Sequence, residues 1–446
     1  MARVRTVVGR AILPGEGEPQ PVTLHIDEAG KISSVLPGNQ AGSSSDVLCI
    51  PDDCVLLPGL VDCHVHLNEP GRTSWEGFQT GTLAAVSGGV TTLIDMPLNS
   101  IPPTTTVENL RIKREAAKRV GVSSDLGFWG GIIPGNEGDL VPLLKEGVKG
   151  FKCFLIESGV DEFPHVEEEH LVRACNALEG TDALILFHAE LGPHDHELVP
   201  GNDSQYSTFL ESRPASLELS ALELILRLAR RFPSLRFHIV HLSTAEALPI
   251  IREARRTGVT NLTVETCFHY LILRAEDIPA NATQFKCCPP IREEANRLAI
   301  CDAVLDGTID FVVSDHSPCV AELKRGDFMS AWGGISGLGL GLSLLWTDMG
   351  ERAGLGRLVE LLSMAQARQV KLEGVKGALQ EGADADFVVF APEATFEVTL
   401  TGLRFKNKVS PYIGRSLRGF VRQTYLRGER AWDAATGTCA TDGRLL

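Results

Sequence analysis

The sequence has no excess of basic residues, no long apolar run and no leader-like start. It carries 42 Lys and Arg against 57 Asp and Glu, a formal net charge of −15 over 446 residues. Such a balance argues against nucleic acid or an anionic membrane as the main partner, because phosphates are bound through basic patches. The longest apolar runs are far shorter than the roughly 18 residues of a membrane span. The first residues do not resemble a signal peptide, so none is expected.

The eleven cysteines form no CxxC pair, and their number is odd. Several of them, such as Cys153, lie inside apolar runs. A disulfide framework is typical of shorter chains with denser cysteines. The pattern therefore indicates reduced, mostly buried thiols in a reducing compartment.

The middle of the chain alternates between short apolar runs and amphipathic helical segments. Continuous apolar runs are typical of parallel strands that are buried on both faces. Eight such strands alternating with helices predict a (β/α)8 TIM-like barrel. The eight candidate strands are residues 55–57, 92–96, 126–129, 150–155, 183–188, 237–241, 262–265 and 309–315.

Both ends of the chain are rich in short strands. The candidates are residues 22–26 and 31–35 at one end, and residues 386–390, 395–400 and 419–425 at the other. Two strand-rich ends that flank a barrel pair most simply with each other. We therefore expect a composite β-sandwich domain from residues 1–55 and 381–446, and a barrel over residues 56–380.

Histidines and one aspartate follow the predicted barrel strands. His64 and His66 are two residues apart, a spacing that places both side chains on one face of a strand. His188, His241 and Asp315 each stand at the end of a candidate strand. Taken singly, each could be a hydrogen-bonded core histidine or a helix-capping aspartate. Together they indicate a metal site, because barrels of this class carry their active sites at the carboxyl ends of the strands.

Lys152 lies inside the apolar run 151–155, where a charged amine is costly to bury unpaired. It could extend its ammonium to solvent or form an internal ion pair. A carbamate formed with CO₂ would instead turn it into a carboxylate-like ligand able to bridge two metals. The remaining histidines are weaker candidates: His238 for packing, His316 for support of a ligand, and His194 and His196 in a polar stretch without a preceding strand.

Residues 58–66 resemble the opening motif of the cyclic amidohydrolases of the amidohydrolase superfamily, and residues 382–387 resemble the return of that family to its β domain. The resemblance covers almost the whole chain. It implies two divalent metal ions and a carbamate on Lys152. Zinc is the first choice of metal, and manganese, cobalt and iron are the alternatives. The implied metal ligands are His64, His66, Lys152, His188, His241 and Asp315. It also implies a homotetramer in the cytoplasm, with the peroxisome as the alternative.

Within that group, six blocks resemble the allantoinases: residues 69–77, 95–100, 127–131, 286–292, 314–319 and 331–335. Dihydroorotases usually carry Arg where Asn68 stands, and hydantoinases usually carry a Tyr shortly after the modified lysine, which is absent here. Cys288 stands where allantoinases often have Ser.

The resemblance implies that a hydroxide bridging the two metals opens the cyclic amide of allantoin to give allantoate. Asp315 would transfer the proton, and Asn99, Cys288 and Ser317 would hold the ureide. Two alternatives stay open. One is a hydantoinase-like or dihydropyrimidinase-like cyclic amidohydrolase, and the other is a non-catalytic scaffold on the same fold.

Overall fold

The computed structural model describes residues 4–40, 46–192, 201–439 and 443–446. His194 and His196 lie outside these residues. The strands, in chain order, are β1 (Thr6–Ala11), β2 (Gln20–Ile26), β3 (Ile32–Pro37), β4 (Val47–Cys49), β5 (Val55–Pro58), β6 (Leu60–Val65), β7 (Val90–Asp95), β8 (Asp125–Phe128), β9 (Gly130–Gly131), β10 (Phe151–Phe154), β11 (Leu184–His188), β12 (Arg236–Ile239), β13 (Leu262–Cys267), β14 (Phe311–Val313), β15 (Phe387–Glu397), β16 (Ser416–Leu426) and β17 (Glu429–Asp433).

The α-helices are α1 (Phe78–Ser87), α2 (Val107–Val120), α3 (Glu137–Lys145), α4 (Glu168–Leu178), α5 (Tyr206–Ser212), α6 (Ala215–Arg231), α7 (Leu248–Arg256), α8 (Phe268–Ile272), α9 (Glu294–Asp306), α10 (Gly341–Val359) and α11 (Ala365–Gln369). Short 3₁₀ turns and one π-helical turn, Glu360–Met364, complete the list. Among the described residues, no helix has the length and apolar character that a membrane span needs.

Eight parallel strands form the barrel. They are β6, β7, β8 continued by β9, β10, β11, β12, β13 and β14, each paired with the next along the chain. The ring closes where Val65 bridges His316 and the N–H of His66 donates to the carbonyl of His316 at 2.8 Å. The strands are almost wholly buried, as their continuous apolar runs require.

Strands from both ends of the chain form the second sheet, in the order β17-β16-β15-β5-β1-β2-β3, with β4 beside β1. A core of its own lies within it, in which the rings of Phe387 and Tyr425 stack 4.4 Å apart. The predicted fold class, a barrel with a small β-sandwich domain built from both chain ends, is thus confirmed.

The first predicted barrel strand was wrong. Residues 55–57 belong to β5, which pairs with β15 and β1 in the small domain. The first barrel strand is β6, which begins after Gly59. β5 therefore crosses the expected boundary at residues 55 and 56, and the domain limits as a whole stay a prediction.

A buried ion network joins the small domain to the barrel. Lys376 Nζ lies 2.5 Å from Asp125 at the start of β8, 2.7 Å from Asp386 and 2.8 Å from Asp384. Arg427, in the turn between β16 and β17, contacts Asp125 at 2.7 Å. One lysine and one arginine thus link three elements that are distant in the sequence.

Candidate metal centre

The six residues expected to bind metal line one cavity. The cavity has a volume of about 410 Å³ and lies at the carboxyl ends of the barrel strands. Its lining includes His64 from β6, Lys152 from β10, His188 from β11, and His66, His241 and Asp315 from the residues that follow β6, β12 and β14. The structure therefore brings all six together, as parallel strands of one barrel should.

Asp315 lies between the first two imidazoles. Its Oδ1 is 3.1 Å from His64 Nε2 and 3.4 Å from His66 Nε2. On the other side of the ring, His64 Nδ1 contacts the buried carboxylate of Glu265 at the end of β13. This second contact fixes the ring so that Nε2 faces the cavity.

His188 and His241 form the opposite side of the cluster. His188 Nδ1 is 3.0 Å from His241 Nε2, and His188 Nε2 is 2.7 Å from Glu190. His241 and Asp315 both have a φ of 41°, in the left-handed region that residues with a Cβ rarely adopt. Such backbone strain is concentrated at functional sites.

Lys152 is 1% exposed. In the part of the chain that the structure describes, its Nζ has no hydrogen bond or ion pair, and it lies 5.2 Å from the centre of the Phe154 ring. Burial lowers the pKa of this amine to about 8, although Asp315 and Glu265 partly oppose the shift. A substantial share of Lys152 is therefore neutral near physiological pH.

The carboxylates and imidazoles polarise one another strongly. Burial alone would raise the pKa of Asp315, yet the neighbouring charge of His64 holds it well below its usual range. Burial alone would likewise lower the pKa of His64, but Asp315 and Glu265 raise it to about 9. The pKa of His241 is driven well below its usual value by burial and by Lys152.

The donor set fits a divalent cation. One ring nitrogen of His64, one of His241 and one carboxylate oxygen of Asp315 lie within 4.8 Å of one another. All three residues are buried. His241 Nδ1 has no hydrogen-bond partner among the described residues, and the contact of His64 Nε2 with Asp315 Oδ1 at 3.1 Å lacks hydrogen-bond geometry. Buried nitrogens without a hydrogen bond are costly, and a metal ion would satisfy them.

The three expected substrate-contact residues, Asn99, Cys288 and Ser317, line the same cavity. Asn99 Nδ2 is 3.5 Å from His66 Nδ1, and its Oδ1 is buried without a partner. Asn99 Oδ1 is therefore an acceptor without a hydrogen bond among the described residues, beside the candidate metal ligand His66.

Sequence reasoning missed Glu265, Glu190 and Arg213. Glu265 also contacts His238 Nε2 at 3.0 Å, so His238 does more than pack. A carboxylate inside the apolar strand 262–267 was the available signal for Glu265. His316 donates from Nε2 to Glu76 at 3.3 Å; Glu76 is not among the expected metal ligands, so the supporting role of His316 stays a prediction.

Residues 55–430 match the family model described as the amidohydrolase family. The chain is 47% identical over 444 residues to an allantoinase of Saccharomyces cerevisiae, covering 96% of this chain and 95% of that one. It is 49% identical over 441 residues to an allantoinase of Streptomyces avermitilis, covering 98% and 97%.

Solved structures share the fold at lower identity. An L-hydantoinase (dihydropyrimidinase) from Arthrobacter aurescens has a TM-score of 0.89 at 23% identity and covers 99% of this chain and 98% of that one. A dihydropyrimidinase from Brevibacillus agri has a TM-score of 0.86 at 24% identity, with the same coverage. The chain therefore belongs to the amidohydrolase family and, within it, groups with the allantoinases.

Proposed function

We propose that this chain hydrolyses the cyclic amide of allantoin to give allantoate. The observation that carries the proposal is the convergence of four histidines, Lys152 and Asp315 on one cavity at the barrel mouth. Relatives that share about half of the sequence over nearly its full length are named allantoinases. A cavity of about 410 Å³ has a suitable size for a small neutral ureide.

His64, His66, His188, His241, Lys152 and Asp315 would hold two divalent ions. When bound, such ions act as Lewis acids and lower the pKa of water, which is the chemistry that amide hydrolysis needs at neutral pH. Nitrogen and oxygen donors suit zinc, our first choice, and also manganese, cobalt and iron. Glu265 and Glu190 would orient His64 and His188 from behind.

Lys152 would act as a carbamate. A neutral amine can add to CO₂, and the lowered pKa of Lys152 provides that form. The addition releases a proton to solvent and leaves an anion, which the surrounding imidazole N–H groups would stabilise better than they would stabilise a buried ammonium. This modification also explains why a lysine occupies a buried position with no acceptor among the described residues.

Asp315 would move the proton. Its carboxylate, held by His64 and His66, accepts the proton of the attacking water and delivers it to the leaving ring nitrogen. Asn99, Cys288 and Ser317 would contact the ureide from the walls.

A substrate panel tests the proposal. We expect allantoin to be opened with a higher kcat/KM than hydantoin, dihydrouracil or dihydroorotate. A preference for hydantoin or dihydrouracil would instead favour the second candidate, a hydantoinase-like or dihydropyrimidinase-like enzyme, which the shared fold of those structures supports. A folded protein that contains no metal and opens none of the four would be a scaffold.

Three further features are part of the proposal. The chain would divide into a composite domain, residues 1–55 and 381–446, which β5 extends to residue 58, and a barrel over the rest of residues 56–380. It would assemble as a homotetramer and act in the cytoplasm, with the peroxisome as the alternative compartment. All eleven cysteines are free in the structure, which is compatible with a reducing environment. Light scattering on the purified protein and imaging of a tagged chain would test the assembly and the compartment.

A further inference from the structure

One arginine lines the cavity beside the candidate metal ligands. Arg213 directly follows α5, and its side chain is 19% exposed. Oε2 of the buried Glu190 lies 2.5 Å from Arg213 Nη1 and 2.7 Å from His188 Nε2. A single carboxylate oxygen thus holds the guanidinium next to an imidazole of the metal centre.

The backbone under Arg213 is also fixed. Arg292 Nη2 donates to the Arg213 carbonyl at 3.4 Å and to Glu218 at 2.7 Å, and Arg292 itself is buried. Because both the main chain and the side chain are anchored, the guanidinium occupies a set position in the cavity wall. Preorganised polar groups of this kind give a site its specificity.

Most of the donors of Arg213 are available to a ligand. A guanidinium has five N–H groups in a planar fork. Within the described residues, the only hydrogen-bond acceptor of the Arg213 side chain is Glu190. Two lysines also line the cavity. Lys286 Nζ donates to the carbonyls of Met329 at 3.0 Å and Ala331 at 2.6 Å, and Lys152 is a candidate metal ligand.

We propose that Arg213 binds the ureido arm of the substrate, by donating to its carbonyl oxygen, and so selects ureido-substituted rings over bare ones. This inference rests on the proposed function, because it assumes that the ring of a cyclic ureide lies over the metal centre. The arm of such a ring is planar and neutral and carries one strong acceptor. A planar guanidinium fork matches that acceptor better than the point charge of a lysine would.

The test compares Arg213→Gln and Arg213→Lys with the unchanged protein. We expect kcat/KM for allantoin to fall about 10- to 100-fold, mainly through KM. The inhibition constant of hydantoin, which is the same ring without the arm, should stay within about twofold of the unchanged protein. Arg227→Gln, a surface change on α6 where Arg227 pairs with Glu168, is the matched control and should change neither value.

The outcomes separate the two proposals. If the unchanged protein does not open allantoin, the proposed function is wrong. If it does, and Arg213→Gln weakens hydantoin and allantoin equally, then Arg213 serves the ring or the fold and the inference is overturned. Unchanged kinetics with allantoin in both Arg213 variants would overturn it as well.

Discussion

At the scale of single residues, Asp315 joins the two roles proposed for the site. Its Oδ1 faces the Nε2 atoms of both His64 and His66, and its left-handed backbone turns the carboxylate toward the cavity. In the proposed function, the same side chain would both bind metal and move a proton. Substitutions around it can separate these two roles.

We expect Asp315→Asn to lower kcat for allantoin at least about 100-fold, because an amide cannot accept the proton of the attacking water. The thermal midpoint should be little changed, since the amide has nearly the same shape. Asp302→Asn, on the exposed face of α9, is the control and should keep full activity. Retained hydrolysis in Asp315→Asn would refute the assigned role.

Glu265→Gln should weaken metal binding about 10- to 100-fold, because Glu265 orients His64 and His238 from behind. Metal titration followed by mass spectrometry measures this change directly. Activity should return at saturating metal, which a general folding defect would not allow. Glu253→Gln, on the surface of α7, is the control, and equal metal affinity in the two variants would count against the orienting role.

Carbamate formation on Lys152 should depend on pH. Burial lowers the pKa of the amine to about 8, so its neutral form increases as the pH rises through that value. Metal-depleted protein given metal and ¹³C-bicarbonate should regain activity faster at about pH 8.5 than at about pH 6.5. A carbamate carbon signal should be present in the native protein and absent from Lys152→Met. A native protein that is fully active without this signal would contradict the modification.

The convergence of the six side chains could be predicted from the sequence because each residue lies in a strand of one parallel barrel or within two residues after its end. The spacing of His64 and His66 and the ends of the other strands place the six side chains at one mouth. Glu190 and Arg213 could not be predicted in the same way. Their roles depend on the hydrogen bond between the two side chains, which are 23 positions apart in the chain. Nothing in their local sequence indicates this contact.

At the scale of elements, the small domain is attached to the barrel through charge as well as apolar packing. Lys376 lies among Asp125, Asp384 and Asp386, and it is 1% exposed. The first residue of β8 and two residues just before β15 are therefore held by one ammonium. Removing that ammonium leaves buried carboxylates without their shared partner.

We expect Lys376→Met to lower the free energy of unfolding by about 3–5 kcal/mol, the usual cost of breaking a buried ion pair from one side. Urea denaturation measures it, and kcat of the protein that stays folded should be unchanged. Lys371→Met, at an exposed lysine paired with Asp182, should have little effect. Equal midpoints for the two variants would show that the network adds no stability.

Seven of the eight predicted barrel strands agree with the structure. The exception is the first, residues 55–57. Residues 55–58 are an apolar, fully buried strand, as a barrel strand would be. Only Gly59 separates them from β6, so periodicity alone does not show which sheet each strand joins. Residues 55–58 join the small domain because they pair with β15, which lies more than 300 residues later in the chain. In the same way, two strands predicted between residues 386 and 400 form the single strand β15, with a register irregularity after Ala391.

At the scale of the whole molecule, the chain is an acidic barrel enzyme with a cavity at the barrel mouth that fits a small neutral ligand. Its sequence relatives are named allantoinases, whereas the solved structures that share its fold at lower identity are hydantoinases and dihydropyrimidinases.

The most direct test is allantoin turnover by the purified protein before chelation, after removal of metal, and after metal is restored. We expect allantoate as the product, loss of turnover when the metal content falls to near zero, and recovery on adding a divalent cation. Full turnover by verified metal-free protein would contradict it. So would a metal-loaded protein that opens hydantoin or dihydrouracil but leaves allantoin intact.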